Sequence, residues 1–111
     1  MNKWIGLGRL TKDPDIKYTT ENKAVANFTV ATNRKDKDKT ADFHSIVAWD
    51  KTAEFVGKFL TKGRQVLVEG EIRNRSYMKG EQKVYVTEIY AYNIEFADSK
   101  PDEGGFPMGD D

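Results

Sequence analysis

The segment Asp42-Phe43-His44-Ser45-Ile46-Val47-Ala48-Trp49-Asp50-Lys51-Thr52-Ala53-Glu54-Phe55-Val56-Gly57-Lys58-Phe59-Leu60-Thr61-Lys62-Gly63 sets a strand and a helix back to back, and this pair decides the fold class. Side chains of a strand point to its two faces in turn, so Phe43 and Trp49 share one face of the stretch Asp42–Trp49. From Lys51 the spacing changes. Ala53, Val56 and Leu60 fall on one stripe of a helix over Lys51–Thr61, and Phe55 and Phe59 extend it. Asp50 reads as the N-cap, its carboxylate accepting amide hydrogens of the first turn, and Gly63 suits a left-handed stop.

Working outward, a first strand is expected over Asn2–Leu10, with Gly6 and Gly8 allowing strong bending or close backbone approach. Thr11-Lys12-Asp13-Pro14-Asp15 is a turn by its Asp-Pro content, and Ile16–Thr20 is a short extended piece. The second long strand is Ala24–Asn33. There Ala24, Ala26, Phe28 and Val30 share one face, while Val25, Asn27, Thr29 and Ala31 share the other. Arg34–Ala41 is a loop carrying Arg34, Lys35, Lys37 and Lys39 interleaved with Asp36 and Asp38. Beyond the helix, a fourth strand covers Arg64–Tyr77, a turn Met78–Gln82 follows, and a fifth strand covers Lys83–Phe96. An all-β chain with five strands and one helix between the third and fourth has the element order of an OB-fold, a five-stranded Greek-key barrel. Pro101, Gly104, Gly105, Pro107 and Gly109 disfavour packed structure, so residues 1–97 are expected to form one domain and 98–111 a flexible, disordered acidic tail.

Composition narrows the chemistry. A chain of 111 residues supports a single core, and no apolar run approaches the roughly 20 residues of a membrane span. Met1-Asn2-Lys3-Trp4 lacks a charged-then-apolar signal region, so a soluble, cytoplasmic (nucleoid-associated) protein with no membrane contact is expected. There is no cysteine, and His44 is the single histidine, with no carboxylate cluster beside it in the sequence. Thiolate sites are thereby excluded, and neither a metal nor another cofactor is expected. No Ser/His/Asp arrangement, phosphate-cradling glycine loop or nucleotide motif points to an enzyme. The net charge is zero, but it is unevenly placed: residues 1–97 hold 17 Lys and Arg against 13 Asp and Glu, while residues 98–111 hold one Lys against five acids. A mildly basic body with an acidic end is the asymmetry of an interaction tail.

The body's basic residues stand beside aromatics. In Glu71-Ile72-Arg73-Asn74-Arg75-Ser76-Tyr77, alternation puts Arg73, Arg75 and Tyr77 on one face. A hydrophobic core has no use for two guanidiniums beside a ring. A single-stranded nucleic acid does, because phosphates pair with the cations and unstacked bases lie on the ring. Taken alone, this strand or the Phe43–Trp49 strand also reads as a solvated face over a core. Two such strands in one small chain favour a binding face. A scaffold OB domain without a nucleic-acid ligand and an RNA-binding domain of the cold-shock type are the alternatives.

At these residues the chain resembles the bacterial-type single-stranded DNA-binding proteins, the SSB family. The resemblance is carried by Gly8-Arg9-Leu10-Thr11-Lys12-Asp13-Pro14, Lys17-Tyr18-Thr19, Ala24-Val25-Ala26-Asn27-Phe28-Thr29, Lys62-Gly63, Val68-Glu69-Gly70, Arg73-Asn74-Arg75-Ser76-Tyr77 and Val86-Thr87-Glu88, in order over residues 1 to 97. It implies an OB-fold, a homotetramer, and sequence-independent binding of single-stranded DNA in replication, recombination and repair. By that resemblance Phe43, Trp49 and Tyr77 stack on bases, and Lys3, Lys17, Lys51, Lys62, Arg73 and Arg75 line the DNA path. Tyr18 lies near the path, and Arg34 and Lys35 of the charged loop complete the DNA-binding set. His44 falls at a position tied to subunit contacts, and a satisfied barrel histidine is the equal alternative. Trp4 stands where the family has an aliphatic residue in a strand that forms dimer contacts, so Trp4 is expected at an interface. The loop Arg34–Ala41 lacks an aromatic that some members carry, which implies a weaker or more salt-sensitive grip. The acidic tail implies contacts with replication or repair proteins. Its Phe106-Pro107 precedes Asp110-Asp111, the reverse of the family's order of acids before Pro-Phe, so recruitment by that route is expected to be weak.

Overall fold

Ala24, Ala26, Phe28 and Val30 are buried and Asn27 is exposed, the alternation of a strand that covers a core on one side. They belong to a computed structural model that describes residues 1–98; the readings of the acidic end beyond Asp98, Phe106-Pro107 included, lie outside the described residues. In chain order the elements are β1 (Trp4–Leu10), β2 (Asp15–Tyr18), β3 (Ala24–Asn33), β4 (Ala41–Trp49), α1 (Asp50–Phe59), β5 (Gln65–Lys79) and β6 (Gln82–Phe96).

Five strands close into a barrel in the order β1-β5-β6-β4-β3, and β3 returns to β1 through Arg9↔Ala31 and Leu10↔Val30. The β4–β6 pairing is parallel and every other pairing is antiparallel. This is the expected all-β barrel, with its helix between the third and fourth barrel strands. The short extended piece is a true strand, β2, which pairs with β3 outside the ring. Because β1 must leave β5 and join β3 within a few residues, the two backbones come very close at Gly8. A Cβ there would overlap the Ala31 carbonyl oxygen, so only glycine permits this crossing.

The interior is filled by Leu10, Phe28, Val30, Ile46, Val66 and Val68 from the strands, and α1 covers one end with Ala53, Val56 and Leu60, the stripe its spacing predicts. Phe55 packs on Phe59 and on Phe96 at ring separations of 5.3 and 5.5 Å. A β-bulge lies between Glu69↔Asn93 and Gly70↔Ala91, where Tyr92 is the extra residue. It changes the inward parity of β6 from Ile94 to Ile89. The β5–β6 hairpin closes through a two-residue turn, Gly80-Glu81, shorter than the expected Met78–Gln82. Gly80 at φ 65° occupies its first central position, as a type II′ turn requires.

Expectations at both ends of the helix and in β1 are corrected. Trp49, not Asp50, occupies the helix N-cap, and no side chain caps the turn; Asp50 is the first helical residue with φ at 55°, so its carboxylate is not the cap. The helix ends at Phe59 with an extended Leu60, two residues short of Thr61. Gly63, at φ 89°, serves the following turn, where Arg64 N–H donates to Thr61 O, and not the helix end. Trp4 is half-buried and packs against the core. Its ring lies over Gly6, in the space a Cβ would fill, and 5.0 Å from the His44 ring at the barrel mouth. His44 in turn bonds Thr32 Oγ1 at 2.9 Å, the satisfied barrel histidine. Finally β1 begins at Trp4, and Asn2 extends its ladder by side chain, donating to Ile72 O and accepting from Ile72 N–H.

Asp98, placed by the sequence at the head of the tail, is tied to the barrel. Its carboxylate accepts from Arg64 at 3.1 and 3.2 Å and from Gln65 N–H at 3.0 Å. Burial pushes this carboxyl up, but the Gln65 amide and the Arg64 guanidinium outweigh it and hold it below the ordinary range.

Two outcomes follow from these contacts. Gly8→Ala should lower unfolding free energy by about 1–3 kcal/mol, the range of an overpacked core site, as read from the urea midpoint. Asp98→Asn should lower the melting temperature at neutral pH. A depressed carboxyl stabilises above its unfolded pKa and loses that contribution as pH falls through its folded value, so wild type and variant should converge in acid.

Candidate nucleic-acid interface

Residues opposite one another across antiparallel strands share a face. On β4, the partners of Asn27, Val25 and Thr29 are Val47, Trp49 and Ser45, so Trp49 and Phe43 point outward with the non-core face of β3. On the hairpin, Arg73 faces Glu88 and Glu71 faces Tyr90, and the parallel pairing of Val47 with Tyr90 joins the two surfaces. The outer faces of β3, β4, β6 and β5 are therefore one continuous surface.

Near its centre is a cleft of about 460 Å³ lined by Trp49, Glu71, Arg73, Tyr90, Ala91 and Tyr92. Arg73 lies over the Tyr90 ring with Cζ 4.2 Å from its centroid, and Lys3 Nζ stands 5.9 Å from the Tyr92 ring. Beside this cleft is a second, polar one of about 240 Å³ to which Asn27, Thr29, Ser45 and Glu88 contribute. Aromatic rings and a flat cation thus line one cleft, and hydrogen-bonding side chains line the other.

Five of the candidate cations are each matched by a carboxylate. Lys3 pairs with Glu69 at 3.4 Å, Lys17 with Asp15 at 3.7 Å, Arg34 with Asp42 at 2.9 Å, Arg73 with Glu71 at 2.7 Å and Arg75 with Glu88 at 3.0 Å. Hydrogen bonding to Tyr92 and then to Glu69 holds the Lys3 amine above its usual value. Asp42 is held below the carboxylate range by its hydrogen bonds from Arg34, and Arg34 and Arg75 are raised by Asp42 and Glu88. The pairs differ in depth. Side chains of Arg73 and Glu71 are 54% and 37% exposed, whereas those of Arg75 and Glu88 are 52% and 9% exposed.

Of the residues singled out in the sequence, Phe43, Trp49, Arg73, Arg75 and Tyr77 come together on this surface, with Lys17 at its β2 edge. Arg75 Cζ is 5.7 Å from the Tyr77 ring. Others lie apart. Tyr18 lines a groove with Ile16, Ala53 and Gly57 on the helix side of β2. Lys51 is exposed in the first turn of α1, and Arg34 and Lys35 belong to the β3–β4 loop. Lys62 is in the α1–β5 turn, its N–H bonded to Asp13. Sequence reasoning missed Tyr90, Tyr92, Glu71 and Glu88. The hairpin turn carries the signal: counting back from Lys79↔Gln82 sets Arg73 against Glu88 and Glu71 against Tyr90.

A closed five-stranded barrel with its helix between the third and fourth strands, bearing an aromatic and cationic outer face, is an OB-fold of the kind that binds nucleic acids or sugars. The chain belongs to the single-strand binding protein family, whose model matches residues 1–97. Single-stranded DNA-binding protein 3 of Listeria innocua is 44% identical over 110 residues, 95% of this chain and 69% of that protein. The single-stranded DNA-binding protein of Clostridium perfringens is 40% identical over 117 residues, 100% of this chain and 78% of that protein. That of Bacillus cereus is 44% identical over 110 residues, 95% of this chain and 64% of that protein. The family is one of binding proteins, not enzymes. Among the described residues no helix is long and apolar enough to cross a membrane.

If Trp49, Phe43 and Tyr77 each carry a base, changing any one to Ala should cost about 1–3 kcal/mol of single-strand affinity. Trp49 should supply most of the fluorescence quenching, since it lines the central cleft while Trp4 is half-buried against Gly6 and His44; quenching that survives in Trp49→Phe would contradict this.

Proposed function

We propose that this protein coats single-stranded DNA without sequence preference, along the outer face of β3, β4, β5 and β6, and protects it during replication, recombination and repair. The observation that carries the reading is the cleft that unites Trp49, Tyr90 and Tyr92 with Arg73. Family membership and the names of the relatives support it. The mechanism needs no chemistry. Cations replace condensed counterions on phosphates, and bases lie on aromatic rings; because every base has a flat face, any sequence serves. Phe43, Trp49, Arg73, Arg75 and Tyr77 are the central contacts, and Lys3, Lys17, Tyr18, Arg34, Lys35, Lys51 and Lys62 extend the path around the barrel. The acidic residues beyond the barrel are the proposed contact for replication and repair proteins, and the cytoplasm is the proposed compartment.

One small barrel offers a groove for only about 4–16 nucleotides, so several copies are needed for a longer path. The proposed assembly is a homotetramer. Ile5 and Leu7, on the outer face of β1, are both more than half exposed, and Met78 is exposed at the end of the hairpin. Apolar groups left in water on a regular strand face favour association with a second copy.

Fluorescence titration with poly-dT and with duplex DNA at several salt concentrations tests the first part. Tight binding to the single strand, weak binding to duplex and a steep fall with salt are expected. Equal affinity for both nucleic acids would refute it. Light scattering tests the second: the mass should be four times that of the 12.7 kDa chain, and a monomeric mass at micromolar concentration would contradict the assembly.

A further inference from the structure

Arg73 and Arg75 look equivalent in the sequence, two residues apart on one face, but their carboxylate partners are not equivalent. Glu71, the partner of Arg73, has 37% of its side chain exposed and can turn into water. Glu88, the partner of Arg75, is the buried charged residue among those described, with 7% of its surface accessible. It accepts from Arg75 Nε at 3.0 Å and from the terminal nitrogen at 3.2 Å, the two-pronged fit of a guanidinium to a carboxylate.

A phosphate can take Arg73 from Glu71, because the displaced carboxylate is solvated at once. It cannot take Arg75 from Glu88 on the same terms. The released carboxylate would be left charged and almost without water, the costliest way to break an ion pair. A phosphate approaching Arg75 also meets the charge of Glu88, so the pair offers the backbone no net attraction. What Arg75 retains is a flat, half-exposed guanidinium beside the Tyr77 ring. Planar guanidiniums stack on bases, and here the inner edge is already fixed by Glu88.

We propose that Glu88 is a positioning residue that converts Arg75 from a phosphate clamp into a base-stacking surface continuous with Tyr77, leaving Arg73 as the phosphate clamp of this strand. The proposal rests on the single-strand interface described above and assigns the two arginines opposite tasks within it.

The slope of log Kobs against log salt separates the two tasks, because it counts phosphates neutralised and not bases stacked. Poly-dT is titrated into wild type, Arg73→Gln, Arg75→Lys, the double variant Arg75→Gln/Glu88→Gln and Trp49→Ala. The double variant removes the pair together, so no unpaired charge is buried. Arg73→Gln should make the slope shallower by about 0.7, the loss of one phosphate contact on a single strand. The double variant should bind roughly tenfold more weakly at every salt concentration, the weight of one stacked base, with the slope unchanged. Arg75→Lys keeps the charge and loses the plane, and should weaken binding in the same way; it decides the matter if the double variant does not fold. A shallower slope in the double variant, or wild-type affinity in Arg75→Lys, overturns the proposal. If Trp49→Ala and Arg73→Gln also bind like wild type, the placement of the interface itself is wrong and the proposal falls with it.

Discussion

The structure depends on one crossing, where β1 leaves β5 and pairs with β3 at Arg9 and Leu10. Without it the β1-β5-β6-β4-β3 sheet would have two open edges, each a row of unpaired amides and carbonyls. With it the five-stranded ring closes, leaving β2 outside it, and every barrel strand gains an inside and an outside. Inward residues then hold the fold, and outward ones are free for binding. Gly8 is the residue that allows the crossing, since any side chain there would enter the Ala31 backbone. Trp4 and Gly6 are a local variation on the same theme: the large ring occupies what the missing side chain leaves open and packs beside His44.

The second constraint is the register of the β5–β6 hairpin. Gly80 fixes it at one end and the bulge at Tyr92 resets it at the other. Between them Arg73 is brought to Tyr90, and Arg75 to Glu88. A slip by one residue would send all of these side chains to the opposite face. Each arginine also stands beside an acid, Arg73 by its neighbour Glu71 on the same strand and Arg75 by Glu88 across the hairpin, so the face is nearly neutral. A zero net charge is therefore a poor guide to this surface. What a polyanion meets is a set of cations whose readiness to exchange partners depends on how deeply each carboxylate is buried.

How much of this was legible in the sequence follows from the range of the forces involved. The strands and the buried stripe Ala53, Val56 and Leu60 were readable, because period-two and helical spacing are local consequences of burying one face. Trp49, Phe43, Arg73, Arg75 and Tyr77 were readable as candidates for the same reason. The helix start was not: Asp50 looks like a cap by type, but the chain turns there at positive φ because Trp49 must stay in β4, paired with Val25. The packing of Trp4 was not legible, because it depends on Gly6 and His44, one near in sequence and one across the barrel. Glu88 and Tyr90 needed the hairpin register, which a reading strand by strand does not supply.

The boundary of the barrel shows how a tertiary contact overrides composition. By charge Asp98 belongs with the acids that follow it, and residues 98–111 carry one Lys against five acids. By contact it belongs to the barrel, since Arg64 and the Gln65 amide hold its carboxylate and Arg9 stands 3.9 Å away. Arg64 is itself fixed over the Phe96 ring at 4.3 Å, at the end of the last barrel strand. The pairing neutralises one acid at the end of the last barrel strand. Any long-range attraction between the acidic residues and the basic face must therefore come from those after Asp98, and it is weakened by salt because exposed charges farther apart than a Debye length are screened.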